Sequence, residues 1–285
     1  MIMEYDFDSI FEFIDYLDHT PTNLDAWGCE ELKSMTGSYR FCKTHSFEEA
    51  KNFCKYGYHE DFDRLVELKL QLEKYIKASC VKNKQSHFYV GYAPDVKAYL
   101  EGNPLSMFHR ENPKRTHIDI YYNSEVSFDT STSRIFNRGA ITLCIVEMLE
   151  KMGFSVGLHI FSMTECNDQI HYSKFHLKKN GEKLNIQKLY FPLCNPSFSR
   201  RLVERLQEET PDITHPWTNG YGKPADDYTI RKIIDLKDDD IVICQPQEMG
   251  VEGYHLLDDA DAMFDYINDF TSEKVEFEHF KELVK

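Results

Sequence analysis

Apolar residues recur along the chain in two rhythms, and the change from one to the other divides it. Near the start, Phe7, Ile10, Phe11, Ile14 and Leu17 share one stripe at helical spacing, with Glu4, Asp8, Glu12, Asp15 and Asp18 largely off it. This predicts an amphipathic helix closed by the turn-rich stretch His19 to Asn23. Ser46-Phe47-Glu48-Glu49 is a capping box, whose hydroxyl and carboxylate satisfy free amide donors at a helix start, and Gly57 can end that helix. A further helix opens at Asp61 and carries Leu65, Leu68, Leu72, Tyr75 and Ile76. Residues 1–80 are therefore expected to be a mainly helical N-terminal region.

From residue 87 the rhythm shortens. His87 to Tyr92 is rich in strand formers, and Pro94-Asp95 starts a short helix stopped by Gly102 and Pro104. His117 to Tyr122 alternates as a strand does. Ile135, Phe136, Ile141, Ile145, Met148, Leu149 and Met152 then form a long stripe ending at Gly153, and Phe154 to Phe161 is a near-continuous apolar strand. Strand, helix, strand predicts a right-handed crossover between two parallel strands of one sheet. Tyr172 to Lys178 alternates again, and Asn180-Gly181 predicts a hairpin or edge strand over Glu182 to Ile186. Pro196 to Glu209 reads as a helix, Ile241 to Cys244 as a buried strand, and Asp258 to Phe270 as a capped helix. The fold class is α/β: a helical part over 1–80, a mostly parallel sheet core over 87–270 and a helical tail over 271–285.

Composition narrows the function classes. In 285 residues, 41% hydrophobic content is enough for a sizeable core. No apolar run approaches membrane-spanning length and the first residues are acidic, so neither a membrane partner nor a signal peptide is expected, and the chain reads as cytoplasmic. The 8 cysteines include no C-x-x-C pair, which argues against zinc and fits reduced thiols. The net charge of −15 is uneven: residues 226–285 hold 17 acidic against 6 basic side chains, whereas residues 61–225 hold 19 against 22. Direct nucleic-acid binding is disfavoured, because neutralising phosphates needs a dense basic patch. The acidic terminus could instead imitate nucleic acid, although a solvated face is the commoner role of such a run.

Three strings could carry chemistry. Asp129-Thr130-Ser131-Thr132-Ser133 lies between a strand and the long helix, where Asp129, Ser131 and Ser133 supply the carboxylate and hydroxyls that suit magnesium; the plainer role of Ser131 or Thr132 is to cap the helix. In Asn137-Arg138-Gly139-Ala140, Arg138 could clamp an anion, and Gly139, costly inside a helix, implies close packing against another backbone. Arg200 and Arg201 stand in the first turns of a helix, where cations oppose the dipole, so they call for an anionic ligand or an acidic partner such as the C-terminal block. There is no P-loop, G-x-G-x-x-G, G-x-S-x-G or H-E-x-x-H string, hence no catalytic signature and no predicted cofactor beyond that magnesium.

The chain resembles an uncharacterised family of proteins encoded by tailed phages and prophages. The likeness rests on Ser46-Phe47-Glu48-Glu49-Ala50 with Gly57, on Pro94-Asp95-Val96 with Leu100, Gly102, Pro104 and Met107, and on Asn137-Arg138-Gly139-Ala140. It continues through Leu149-Glu150 with Gly153, Asn195-Pro196 with Arg200-Arg201, and Tyr221-Gly222. It also looks like a von Willebrand factor A-type core with a degenerate metal site. The resemblance implies a phage origin and no assigned activity. The expected function is a non-catalytic protein-interaction module acting during infection or virion assembly, located in the cytoplasm of the infected bacterial host or on the virion. The rival expectations are a phosphate- or anion-ligand-binding protein or enzyme using Arg138, Arg200, Arg201 and a magnesium site, and an acidic inhibitor of a host nucleic-acid-binding protein.

Overall fold

The computed structural model describes residues 1–19, 34, 38–75, 85–110, 117–126, 130–151, 154–166, 169–210, 223–237 and 240–243. The first element is a strand, β1 (Ile2–Phe7), not the start of a helix. Met3, Tyr5 and Phe7 alternate there with Glu4 and Asp6, and period two decides the local structure. The amphipathic helix α1 (Ile10–His19) follows, with the Ser9 hydroxyl accepting from the Glu12 amide at 3.2 Å; it buries Phe13, Ile14 and Leu17. A short α2 (Tyr39–Cys42) leads into α3 (Phe47–Tyr56). Its capping box forms as the sequence predicts: Ser46 Oγ accepts from the Glu49 amide at 3.1 Å, and the Glu49 carboxylate accepts from the His45 amide. Gly57 ends the helix at φ +95°, a left-handed value open to glycine, and α4 (Phe62–Tyr75) comes next.

Residues 85–110 do not join the core sheet, contrary to the expectation that the core begins near residue 87. Strands β2 (Gln85–Phe88), β3 (Ala93–Pro94) and β4 (Met107–Arg110) make a separate antiparallel sheet in the order β2-β4-β3. Between β3 and β4 lies α5 (Val96–Leu100), capped by Asp95, whose carboxylate accepts from the Lys97 and Ala98 amides at 3.0 and 3.2 Å. Asp95 also pairs with His87 of β2 at 2.7 Å, tying helix to strand.

The predicted crossover is present. Strand β5 (His117–Asn123), helix α6 (Thr132–Lys151) and strand β6 (Ser155–Cys166) form one unit, with β5 and β6 adjacent and parallel from His117↔Ser155 to Asn123↔Phe161. Strand β7 (Gln169–Lys178) returns antiparallel to β6. The turn at Gly181 forms with φ +84°, but no strand over Glu182 to Ile186 follows it. Both edges of β7 are already taken, by β6 and by β1, so the chain after the turn has no ladder to join. It enters α7 (Ile186–Cys194), capped by Asn185. A π-helical segment α8 (Phe198–Val203) then runs into α9 (Glu204–Glu209). The last described elements are β8 (Lys223–Pro224), α10 (Asp227–Ile233) and β9 (Ile241–Ile243).

The main sheet has the order β1-β7-β6-β5-β9, with β8 paired to the far end of β6. Its β1/β7, β5/β6 and β5/β9 pairs are parallel and the β6/β7 pair is antiparallel. Alternate residues of each strand feed two apolar clusters. Ile118, Ile120, Leu158, Ile160 and Phe175 pack under α1, α3, α6, α7 and α8. Phe161, Met163, Tyr172 and Val242 pack against Ala225, Ile230 and Ile234 of the segment around α10. Cys42, Cys54, Cys144 and Cys194 are buried. No helix among the described residues is long and apolar enough to cross a membrane. The helices predicted over Asp258 to Phe270 and in the 271–285 tail lie outside the described residues.

Candidate functional site

Arg138 and Arg200 meet at the carboxyl end of β5, beside the middle of β6, whereas Arg201 reaches back to Ser34 and Thr44. Each member of the Asn137-Arg138-Gly139 string has an identifiable contact. Asn137 accepts from Arg64 of α4 at 3.0 Å. Arg138 is buried; it donates to the Tyr122 hydroxyl at 3.0 Å and the Asn123 carbonyl at 2.8 Å, and its guanidinium lies 4.5 Å from the Tyr122 ring centre. Gly139 is where α6 meets α7: a β-carbon there would stand 2.3 Å from the Leu193 carbonyl oxygen, so the close packing implied by a helical glycine is present. The Leu193 oxygen also accepts from the Tyr122 hydroxyl at 3.0 Å, which links strand, α6 and α7 through one phenol.

Arg200 and Arg201 sit in the π-helical segment, a rare geometry that recurs at functional sites. Their side chains part company. Arg200 donates to Glu204 at 2.7 Å and to the Val126 carbonyl at 3.0 Å, so an acidic partner lies one turn on, while most of the acidic C-terminal block lies outside the described residues. Arg201, fully buried, donates to Thr44 Oγ1, the Thr44 carbonyl and the Ser34 carbonyl at 2.7, 2.9 and 3.0 Å. Glu125, at the end of β5, is buried and accepts from Ser162 of β6. Burial raises its pKa, opposed by that hydrogen bond and by Arg200 and Arg138. Burial likewise pushes Glu204 up to about 7 against the pull of Arg200, with Glu125 and Glu208 adding to the rise. The result is a dense, interior set of charges in which the three arginines direct their donors to protein oxygens.

In the proposed metal string, Ser131 is the helix cap, accepting from the Arg134 amide at 3.4 Å, and Ser133 is an exposed residue of the first turn of α6. Asp129 lies outside the described residues, so the described part of the string supplies hydroxyls alone. Among the described residues no three of His, Cys, Asp and Glu converge to hold a metal ion.

Two further features lay beyond sequence reasoning. On the sheet face opposite α6, His159 Nε2 is 3.3 Å from Asp119 Oδ1 and His176 Nε2 is 3.0 Å from Asp6 Oδ1, with the two imidazoles edge to face at 4.6 Å. Gly157 makes room for this group, since a β-carbon there would meet Asp119 Oδ1 at 2.0 Å. The His159 bond is the largest effect on the Asp119 pKa, which lies below the usual carboxylate value, while burial lowers that of His176. The second feature is the small sheet. Phe88, Tyr89, Val90, Tyr92, Val96, Tyr99 and Leu100 are 53–78% exposed, a run of large apolar side chains facing solvent. Gly91 shapes it: a β-carbon there would fall 2.1 Å from the Phe108 carbonyl oxygen, which accepts from the Tyr92 amide at 3.0 Å.

A family model described as "Domain of unknown function (DUF7192)" matches residues 1–268. No curated protein and no solved structure matches the chain.

Proposed function

The chain belongs to the DUF7192 family, a domain of unknown function, and from its own surface we propose that it is a non-catalytic protein-interaction module docking through the small sheet and α5. One observation carries this reading: seven large apolar residues between Phe88 and Leu100 stand at least half exposed on a single short stretch. Soluble proteins seldom leave such a run uncovered, and tyrosine-rich apolar surface rimmed by polar groups is what the centre of a protein–protein interface needs. The partner is a protein presenting a complementary apolar face. The buried charges point the same way. Arg138, Arg200 and Arg201 are spent on internal bonds, as a scaffold requires. The resemblance to tailed-phage proteins extends the proposal to a phage or host partner met during infection or assembly. The resemblance to a von Willebrand A-type core extends the proposal to a degenerate form of that sheet, in which Ser131 caps the helix.

The test is photo-crosslinking from Tyr99 and Leu100 in cells expressing the chain, repeated with Tyr92→Asp as a docking-deficient background. A discrete protein adduct, lost in that background, is expected. Truncation of a central aromatic anchor costs about 2 kcal/mol or more of binding free energy, roughly thirtyfold in affinity. Absence of an adduct, or an equal adduct in both backgrounds, overturns the reading.

A further inference from the structure

A second surface, at the opposite end of the sheet from the arginine cluster, has a different chemistry. Strands β1 and β7 run parallel, β7 continuing three residues past the last pair, Phe7↔Phe175; α1 starts directly after β1, and α7 starts after the turn that follows β7. Both helix N-termini therefore open at the carboxyl end of one parallel strand pair, the rim where open α/β sheets take their ligands. A groove of about 390 Å³ lies there, within the size range of small-molecule sites, and its lining includes Phe11, His176, Lys179, Lys183 and Lys188.

The charges in this groove are not all spent. Lys178 is committed to Glu150 and the Val156 carbonyl, both at 2.6 Å, and Lys179 pairs with Asp8 at 3.4 Å. Glu182 accepts from the Lys179 amide at 2.8 Å. Lys183 and Lys188, by contrast, have no carboxylate partner among the described residues, although the chain has 48 acidic against 33 basic side chains. Lys188 Nζ lies 5.5 Å from the ring centre of Phe11. Phe11 itself is 50% exposed on a helix that buries Phe13, Ile14 and Leu17 and partly buries Ile10 and Tyr16. The groove is also lined by Asp8 and Glu182, but Lys183 and Lys188 have no carboxylate partner among the described residues, and with the aromatic face of Phe11 beside them they select for a ligand that is anionic at one end and apolar at the other.

We propose that this groove binds a small organic phosphate, with Lys183 and Lys188 holding the phosphate and Phe11 packing against the organic group. This site is independent of the docking surface proposed above. Titration calorimetry of the full chain at fixed ionic strength, with inorganic phosphate and with phenyl phosphate, tests it. Saturable binding of both is expected, with phenyl phosphate the tighter. Lys183→Ala with Lys188→Ala should weaken both at least about tenfold, since charge-assisted contacts to phosphate are lost. Phe11→Ala should remove the advantage of phenyl phosphate and leave inorganic phosphate unchanged. All three positions are solvent-facing, so circular dichroism is expected to show unaltered folds. No saturation by either probe up to about 10 mM, or equal binding by the double-lysine variant, overturns the proposal.

Discussion

The surroundings of the carboxyl end of β5 and the small sheet of residues 85–110 invert the usual distribution of side chains in opposite senses. In the first region Arg138, Arg201, Glu125 and Glu204 are buried; in the second, Tyr89, Val90, Tyr99 and Leu100 face water. Burying charge is tolerable only where every group finds a partner, and exposing apolar surface has a use only where something else covers it. The difference teaches that Arg138, Arg200, Arg201, Glu125 and Glu204 have their partners within the chain, whereas on the proposed reading the exposed run awaits one from outside. Substitution should therefore act on folding in one place and on association in the other.

The largest expected effect is at Arg200. Arg200→Ala takes the 2.7 Å partner from buried Glu204, which then takes up a proton, and leaves the Val126 carbonyl without its donor; together these should cost about 3–5 kcal/mol in urea-induced unfolding. A loss below about 1 kcal/mol would show that the cluster is not internally closed. A second, pH-dependent effect follows from Glu204, whose pKa rises from 4.5 in the unfolded chain to about 7 in the folded one. A raised folded pKa contributes stability that is full below pH 4.5 and lost as pH rises through about 7. Glu204→Gln, which imitates the protonated acid, should therefore gain on the native sequence across that window by roughly 3 kcal/mol and run parallel to it outside. Unfolding curves at several pH values read this directly, and a constant difference would contradict it. The smallest effect belongs to the small sheet: Tyr99→Ser with Leu100→Ser should change unfolding free energy by no more than about 0.5 kcal/mol, as solvent-facing substitutions do, while abolishing the adduct formed from a photo-crosslinker placed at exposed Val96. A larger loss of stability would mean that these side chains pack within the chain after all.

How much of this the sequence disclosed depends on the distance over which each feature is determined. The β5–α6–β6 unit was legible because its signals are local: alternation over His117 to Tyr122, a helical stripe from Ile135, and a continuous apolar strand. Gly139 was legible as a close approach, but not its partner Leu193, which is remote in sequence. Arg138, Arg200 and Arg201 were recognisable as charges needing compensation; that Glu204 answers Arg200 follows from helical spacing, whereas the Arg201 contacts to Ser34 and Thr44 come from another part of the chain. The Asp119–His159 and Asp6–His176 pairs were illegible for the same reason. The Phe88–Leu100 run showed strand and helix signals correctly, yet short apolar runs do not reveal whether they face core or water. β1 was missed although Met3, Tyr5 and Phe7 alternate cleanly, because Phe7 also fits the helical stripe that follows it.

The pairing of β1 with β7 has a consequence for how the molecule is made. Ile2 to Phe7 find their hydrogen-bonding partners in Ile170 to Phe175, so β1 waits, during synthesis, for a strand that follows it at a distance of 168 residues. At about 5–20 residues per second that wait lasts on the order of 10–30 s. Through that interval the acidic side chains of Glu4 and Asp6 keep a nascent strand edge charged, and neighbouring chains on the same message are poor templates for it.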